Sequence, residues 1–443
     1  MSHLRLKNIS VFFKSTLGNY IKNFSWMMVE NLIRIALGLT VSIYLIRFLG
    51  PHDYGILSYA VSLTGILSPI ATLGIDAILL RNVIQDKTQE KILLQTARVL
   101  KFVAGLSLSV LTIIYVYFTR EDRTVVLIIA ILMVGITANS LNVYKEYIVS
   151  VNKMRFIAYA SIFSLILSNF FRVGLILSNA NVIWFATAIV SANVLNVIAL
   201  RFYYKKISEF QEKYFSWTVA KKLLNDSWPL IFTSFAGIIF IYADQIIIEY
   251  FYDFEKVGIY ASAVRLILFF TVIPSIISNM IYPKVIELDK QNEKESFIKK
   301  MTRLYFFHFI FATLLITFFL LLGKTIILTL YGDVFIESAD ILKIYSFTFV
   351  FVFFNPMNNK LLMIENLQKL MLVRNLIGLV INLLLNFLLI PVFGLKGAAF
   401  ATVISQFAIM ISYYFNAKTR YILGIQIRAI IYPLILFVKL FKK

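Results

Sequence analysis

The 443-residue sequence contains no cysteine. That excludes disulfides and thiolate metal sites. Charged residues make up only 15% of the chain, against about a quarter in an average soluble domain. Too little polar surface is left to cover a water-soluble globule. The three histidines, His3, His52 and His308, are far apart and share no ligand spacing, so no metal centre is expected. No G-x-x-x-x-G-K-[ST] occurs, which removes the phosphate-cradling loop of ATP-driven machines. No Asp-x-Asp is present either. The first twenty or so residues are polar and basic rather than apolar, so no cleaved signal is expected.

What the chain has in abundance is apolar sequence: 60% hydrophobic residues, with a mean hydropathy of +0.82. Crossing the hydrocarbon core takes about 20 mostly apolar residues. Stretches of that length predict twelve spans, at 24–46, 54–80, 92–118, 124–148, 155–178, 182–203, 228–250, 258–283, 303–322, 338–364, 371–390 and 395–416. Each must be helical, because lipid offers backbone groups no hydrogen-bond partner. A further apolar stretch, 428–440, is short and carries Pro433 and Lys439. It is expected to lie in the interface rather than to span.

The net charge is +20. In a soluble protein this would suggest a nucleic-acid partner. Here most Lys and Arg fall in the N-terminus, the even-numbered loops and the C-terminus, and few in the odd loops. That asymmetry predicts both termini in the cytoplasm, and it accounts for the charge without nucleic acid. The lipid bilayer is the partner it implies, with the basic loops 201–227 and 284–303 facing anionic headgroups. Arg34, Arg172, Arg265 and Lys343 are the cations singled out inside spans.

The chain also repeats itself weakly. FLGPHDYGILSYAVSL (48–63) matches FYDFEKVGIYASAVRL (251–266). Asn139, Asn142 and Lys153 recur as Asn355, Asn358 and Lys369, and Asn169-Phe170 as Asn386-Phe387. FATAIVS (185–191) recurs as FATVIS (400–405), and Pro69 has Pro274 at the equivalent place. Each match maps a span onto the sixth span after it. Six is even, so the two units share one membrane orientation, related by an axis along the membrane normal. The expected fold is therefore an all-α polytopic membrane protein of about 12 helices, in two parallel pseudo-symmetric six-helix lobes around a central cavity. The lobes are placed at 1–207 and 228–417, joined by a cytoplasmic linker 208–227 and followed by a basic tail 418–443.

Residues 44–82, YLIRFLGPHDYGILSYAVSLTGILSPIATLGIDAILLRN, carry a family likeness. The pattern R-x-L-G-P-x-x-Y-G, a span bearing Ser and Pro, then T-L-G-x-D and an Arg resembles the Wzx-type O-antigen flippases. These belong to the multidrug/oligosaccharidyl-lipid/polysaccharide exporter superfamily. The resemblance implies a bacterial inner-membrane flippase, not an enzyme. It would move an undecaprenyl-diphosphate-linked oligosaccharide to the periplasmic leaflet for O-antigen, lipopolysaccharide or other surface polysaccharide, possibly beside the polymerase machinery. Related members export drugs in exchange for H+ or Na+, or flip lipid II, and both stand as alternatives. A polysaccharide polymerase is the third, disfavoured because the longest odd loop, 323–337, is short. No cofactor is implied beyond coupling to H+ or Na+.

A diphosphate cannot cross hydrocarbon unaided, so such a flippase needs cations at membrane depth. Arg34 and Arg265 are the expected anion-binding pair, with Arg172 and Lys343 nearer the span ends, where snorkelling is cheap. Against this, Glu30 lies one turn before Arg34 and would make a self-satisfied pair with it. Asp244, Glu30 and Asp76 are the carboxylates that could bind a coupling ion. Asp76 closes a stripe of Ser58, Ser62, Gly65, Pro69 and Thr72 on one face of the second span, and could instead pair with Arg81. Asp244 is deep in the seventh span with no Lys or Arg within a turn. Asn139, Asn142, Asn355 and Asn358 are candidate glycan contacts, although Asn in a span more often bonds a neighbouring helix. Pro69 and Pro274 are the expected hinges.

Overall fold

A computed structural model of the protein describes residues 2–207, 215–290 and 294–441; within these, the side chains of 2–32, 35, 283–284, 287–290, 294 and 432–441 are not described. Among the described residues the regular structure is helical. The helices are α1 (Ser2–Thr72), α2 (Ile75–Gln85), α3 (Glu90–Thr119), α4 (Arg123–Ser140), α5 (Tyr144–Ser150), α6 (Met154–Leu177) and α7 (Val182–Ile207). Then follow α8 (Trp217–Phe251), α9 (Phe254–Phe270), α10 (Val272–Lys290), α11 (Lys294–Leu330) and α12 (Ser338–Ser346). The chain continues through α13 (Phe349–Val352), α14 (Asn355–Ile364), α15 (Gln368–Phe393), α16 (Leu395–Ile411) and α17 (Arg420–Phe441).

Ten helical runs among the described residues are long and apolar enough to cross a membrane, and the bent pair 338–346 with 349–364 makes eleven. The first run, Ala36–Gln85, has 50 residues. At 1.5 Å per residue that is about 75 Å, more than twice the ~30 Å hydrocarbon core. It is two spans, divided at Gly50, whose φ of 69° and ψ of 177° break the helix. An L side chain would be strained there. The expected spans thus all have a helical counterpart. The 428–440 stretch falls within α17, and its side chains from 432 onward lie outside the described residues.

By its contacts the chain divides into two units, Met1–Leu45 with Thr64–Phe235, and Ile46–Leu63 with Ala236–Lys443. The division differs from the lobes read in the sequence, because the start of the second span belongs with the second unit. The reason is a glycine-to-glycine crossing. A Cβ on Gly55 would lie 1.6 Å from the Phe254 carbonyl oxygen, and one on Gly258 would lie 1.9 Å from that of Pro51. Residues 48–63 and 251–266 are the two copies of the repeat, and Gly55 and Gly258 are equivalent within it. Without a hydrophobic force between helices in lipid, such close backbone approach supplies the packing.

Each unit has its own core. In the first, Ile75, Leu79 and Leu94 pack with Tyr144, Tyr147 and Tyr204 from α5 and α7. In the second, Tyr305, Phe354, Met357 and Tyr413 join Ile422 and Ile425 of α17. The two prolines act differently from the expectation that both are hinges. Dihedrals stay helical through Pro69, and the second span breaks instead at Leu73 and Gly74, with φ of 55° and 60°. Pro274 does sit at a break: it lacks the N–H that would bond the Phe270 carbonyl four residues back, and α9 ends at Phe270.

Gly55→Ala and Gly258→Ala should each lower the thermal stability of the detergent-purified protein, by an amount typical of overpacking, about 1–3 kcal/mol. Gly174→Ala, with nothing within 4 Å of the added carbon, should leave it unchanged. Equal melting temperatures for all three variants would contradict the crossing.

Candidate functional site

Asp244 lies in the membrane-spanning part of α8 and is 3% exposed. Three neutral donors converge on its carboxylate. The Tyr260 hydroxyl donates to Oδ2 at 2.5 Å, Thr402 Oγ1 donates to Oδ2 at 2.8 Å, and Asn386 Nδ2 donates to Oδ1 at 2.7 Å. Asn386 Nδ2 also reaches Asn382 Oδ1 at 3.1 Å, and the Ala398 carbonyl lies 3.2 Å from Thr402 Oγ1. These groups come from α8, α9, α15 and α16. No Lys or Arg is among the hydrogen-bond partners of Asp244. Asn386 Oδ1, itself buried, has no partner. An unpaired ionised carboxylate in such surroundings is costly. The site therefore has the character of a cation receptor: one negative charge, a ring of neutral oxygens from Asn382, Asn386, Thr402 and Ala398, and one amide oxygen still unsatisfied.

The repeat shows that this site belongs to one unit alone. Asn386 and Thr402 correspond to Asn169 and Thr187. Asn169 donates to its own helix at Leu165 O, and Thr187 to Trp184 O. At the offset of 48–63 to 251–266, Asp244 falls on Val41.

In the first unit, Asp76 does not pair with Arg81. Arg81 Nη2 bonds Asp226 Oδ2 at 2.7 Å, whereas Lys101 Nζ lies 2.6 Å from Asp76 Oδ1 and 3.1 Å from the Asn142 carbonyl. Lys101 is 1% exposed. It is thus a further cation within a predicted span, and so is Arg374. Arg374, 6% exposed, donates to Ser412 Oγ at 2.8 Å and to Ile409 O at 3.1 Å, with its guanidinium over the Tyr413 ring. Both lie a turn or more inside a predicted span, close to its basic end, which is why the sequence grouped them with loop charges. Their partners are 25 to 41 residues away in the chain.

The four cations read from the sequence are placed differently from one another. Arg34 and Arg265 are exposed, each with interactions of its own. Arg265 lies over the Phe269 ring, 5.6 Å from its centroid, and its charge reaches Tyr54 and Tyr331. Arg172 is partly buried, with interactions of its own. Lys343 is partly buried against Gly323. The side chain of Glu30 lies outside the described residues.

The sequence profile of a family described as "Polysaccharide biosynthesis protein" matches residues 20–288. The chain belongs to that polysaccharide biosynthesis family. It is 25% identical over 411 residues to a Staphylococcus aureus protein named capsular polysaccharide biosynthesis protein CapF, covering 90% of this chain and 99% of that one. Its fold is shared with the lipid II flippase MurJ in an inward closed conformation, at a TM-score of 0.74, 16% identity and coverage of 94% and 92%. It is shared also with an inward-facing multidrug resistance MATE transporter of the MOP superfamily, at a TM-score of 0.68, 13% identity and coverage of 88% and 94%. The chain is thus a multi-span member of a polysaccharide biosynthesis family, with the fold of these two proteins.

In this family member the four asparagines have unequal surroundings. Asn358 is 2% exposed, and its Oδ1 accepts from Tyr305 at 2.6 Å and from Gln426 at 2.8 Å. That arrangement ties α17 to α11 and α14. Asn142 offers its carbonyl to Lys101, and Asn355 Nδ2 reaches Gln406 Oε1 at 3.4 Å. Asn139 is exposed. Tyr260, Asn382 and Thr402 went unrecognised in the sequence, although Asn386 and Thr402 lie in the repeat.

Replacing Asn386 with Leu takes a donor from a buried carboxylate. Asn386→Leu should cost about 1–3 kcal/mol, read as a lowered melting temperature, while Asn359→Leu at an exposed position should cost little. A neutral Asn386→Leu would mean that Asp244 does not depend on this bond.

Proposed function

We propose that the protein flips a prenyl-diphosphate-linked oligosaccharide, of the undecaprenyl type, from the cytoplasmic to the periplasmic leaflet of a bacterial inner membrane. The movement would proceed by alternating access and would be coupled to a cation bound at Asp244. The family's role in polysaccharide biosynthesis supports the substrate class. The observation that carries the reading is the cation-free Asp244 cluster, together with exposed guanidiniums on spans. An exposed Arg at membrane depth facing lipid costs at least ~2.5–3.5 kcal/mol. The same Arg facing water or a diphosphate recovers that cost, because its planar fork matches phosphate oxygens in a bidentate way. Arg265 of the second unit is the group assigned to that contact, with Lys343 of the same unit as a secondary cation; Arg34 and Arg172 are the corresponding candidates of the first unit.

The Asp244 cluster fits Na+ better than a bare proton. Na+ would take Asp244, Asn382, Asn386, Thr402 and the Ala398 carbonyl as oxygen ligands, and it would satisfy the amide oxygen of Asn386 that has no donor. A proton on Asp244 would leave that oxygen as it is. A multidrug exporter of cationic compounds would want carboxylates and aromatics where this chain has Arg, which disfavours that reading. Lipid II carries the same diphosphate, so the species that accumulates on gene deletion separates the two flippase readings.

Two outcomes follow. Deletion should cause a lipid-linked oligosaccharide to accumulate facing the cytoplasm. Arg265→Ala at normal abundance should not restore surface polysaccharide, and Arg265→Lys should restore part of it. Full restoration by Arg265→Ala removes the anion contact from the account. Separately, Na+ at about 100 times its dissociation constant should stabilise the purified protein by about 2.7 kcal/mol, relative to choline at equal ionic strength. Asp244→Asn should abolish the difference. Stabilisation that survives in Asp244→Asn places the cation elsewhere.

A further inference from the structure

The first unit holds a second buried group of charges that the Asp244 site does not use. Lys101 reaches across from α3 to Asp76 on α2 and to the Asn142 carbonyl just before α5. One turn after Asn142, Glu146 on α5 is 8% exposed, and its Oε2 is buried with no hydrogen-bond partner. The charged groups whose fields reach Glu146 are Asp76, Lys101 and Lys145. Lys145 is exposed. The helices that also pack on α5 bring Phe156 from α6, and Leu200 and the phenol Tyr204 from α7, to this layer.

The charges do not balance if every group is ionised. Lys101 neutralises one carboxylate, and its ammonium already lies on Asp76. An ionised Glu146 would add a second negative charge with an oxygen lacking any donor, at a cost of several kcal/mol in such surroundings. Something positive is required there. A metal ion would meet the Lys101 ammonium, and among the described residues no three His, Cys, Asp or Glu side chains gather to hold one. A proton needs no volume and leaves the cluster neutral. Asp76 is the member open to water, with its side chain 47% exposed, against 2% for Lys101.

We infer that Glu146 is a proton-binding site of the first unit, filled in the conformation seen here, and that Lys101 communicates its charge to Asp76. The proton enters from water at Asp76 and rests on a Glu146 oxygen. When it leaves, Lys101 is shared between two carboxylates, and its hold on Asp76 weakens. Asp76 stands two residues after the break at Leu73 and Gly74, in the first turn of α2. The protonation state of Glu146 thus sets how firmly the end of the second span is tied to α3. This inference needs neither the diphosphate substrate nor the cation at Asp244, and its test does not read transport.

The test uses the full-length chain in nanodiscs, in an Asp244→Asn background that removes the other buried carboxyl. Infrared difference spectra across a pH titration should show a protonated-carboxyl band that fades on alkalinisation. Glu146→Gln should lack the band. Lys101→Met removes the nearby positive charge, so its band should persist to a pH about 1–3 units higher. The absence of native cysteine permits a second readout. The rate at which a thiol reagent labels Ala77→Cys on α2 should depend on pH, and should become pH-independent when Glu146→Gln is added. A band that survives Glu146→Gln, no band at any pH, or a Lys101→Met titration unmoved or shifted downward would overturn the assignment. If Glu146→Gln fails to fold, the direction of the Lys101→Met shift decides alone.

Discussion

Hydrocarbon offers no hydrogen bonds, and most of the buried polar groups among the described residues are arranged around that fact. Backbone groups satisfy one another in helices. Serines and threonines of the spans donate to their own carbonyls or to a neighbouring helix, as Ser168 does to Ala188 O and Ser109 to Met133 O. Ionisable groups have no such cheap solution. Those inside the spans are buried in a designed set of partners, like Asp244, Lys101 and Arg374, or remain exposed, like Arg34 and Arg265. The second class keeps interactions of its own, as Arg265 does over the Phe269 ring.

The two units answer the same constraint with different chemistry. The repeat gives them matching sequence, and its two glycine-bearing copies, 48–63 and 251–266, meet within the second unit. Equivalent positions then diverge. The second unit places a lone carboxylate among neutral oxygens, where a cation would complete the site. The first unit places a buried lysine against Asp76 with Glu146 nearby. One unit thus carries a negative site lacking a counter-ion, and the other a mixed-charge site sensitive to a single proton.

Much of this was legible in the sequence. Twelve apolar runs, the repeat and the depth of Asp244 in its span could all be read from hydropathy and spacing. The ring around Asp244 could not, because Tyr260, Asn386 and Thr402 come from three other helices up to 158 residues away. Asn386 and Thr402 did lie inside repeat matches, so a signal was present without its meaning. Lys101 and Arg374 were hidden for a different reason. A cation near the basic end of a span looks like a loop charge until its partner is known. A membrane helix tolerates proline where its neighbours compensate, and near Pro69 the dihedrals leave the helical region only at Leu73 and Gly74, which adopt positive φ.

The central claim is that the exposed guanidiniums serve a diphosphate. Its most direct test is flipping in proteoliposomes containing only this protein. A fluorescent oligosaccharide on a prenyl diphosphate is compared with the same oligosaccharide on a neutral prenyl ether, using a membrane-impermeant quencher to report the leaflet. The account predicts protein-dependent movement of the diphosphate lipid and little movement of the neutral one. Equal movement of both lipids would contradict it.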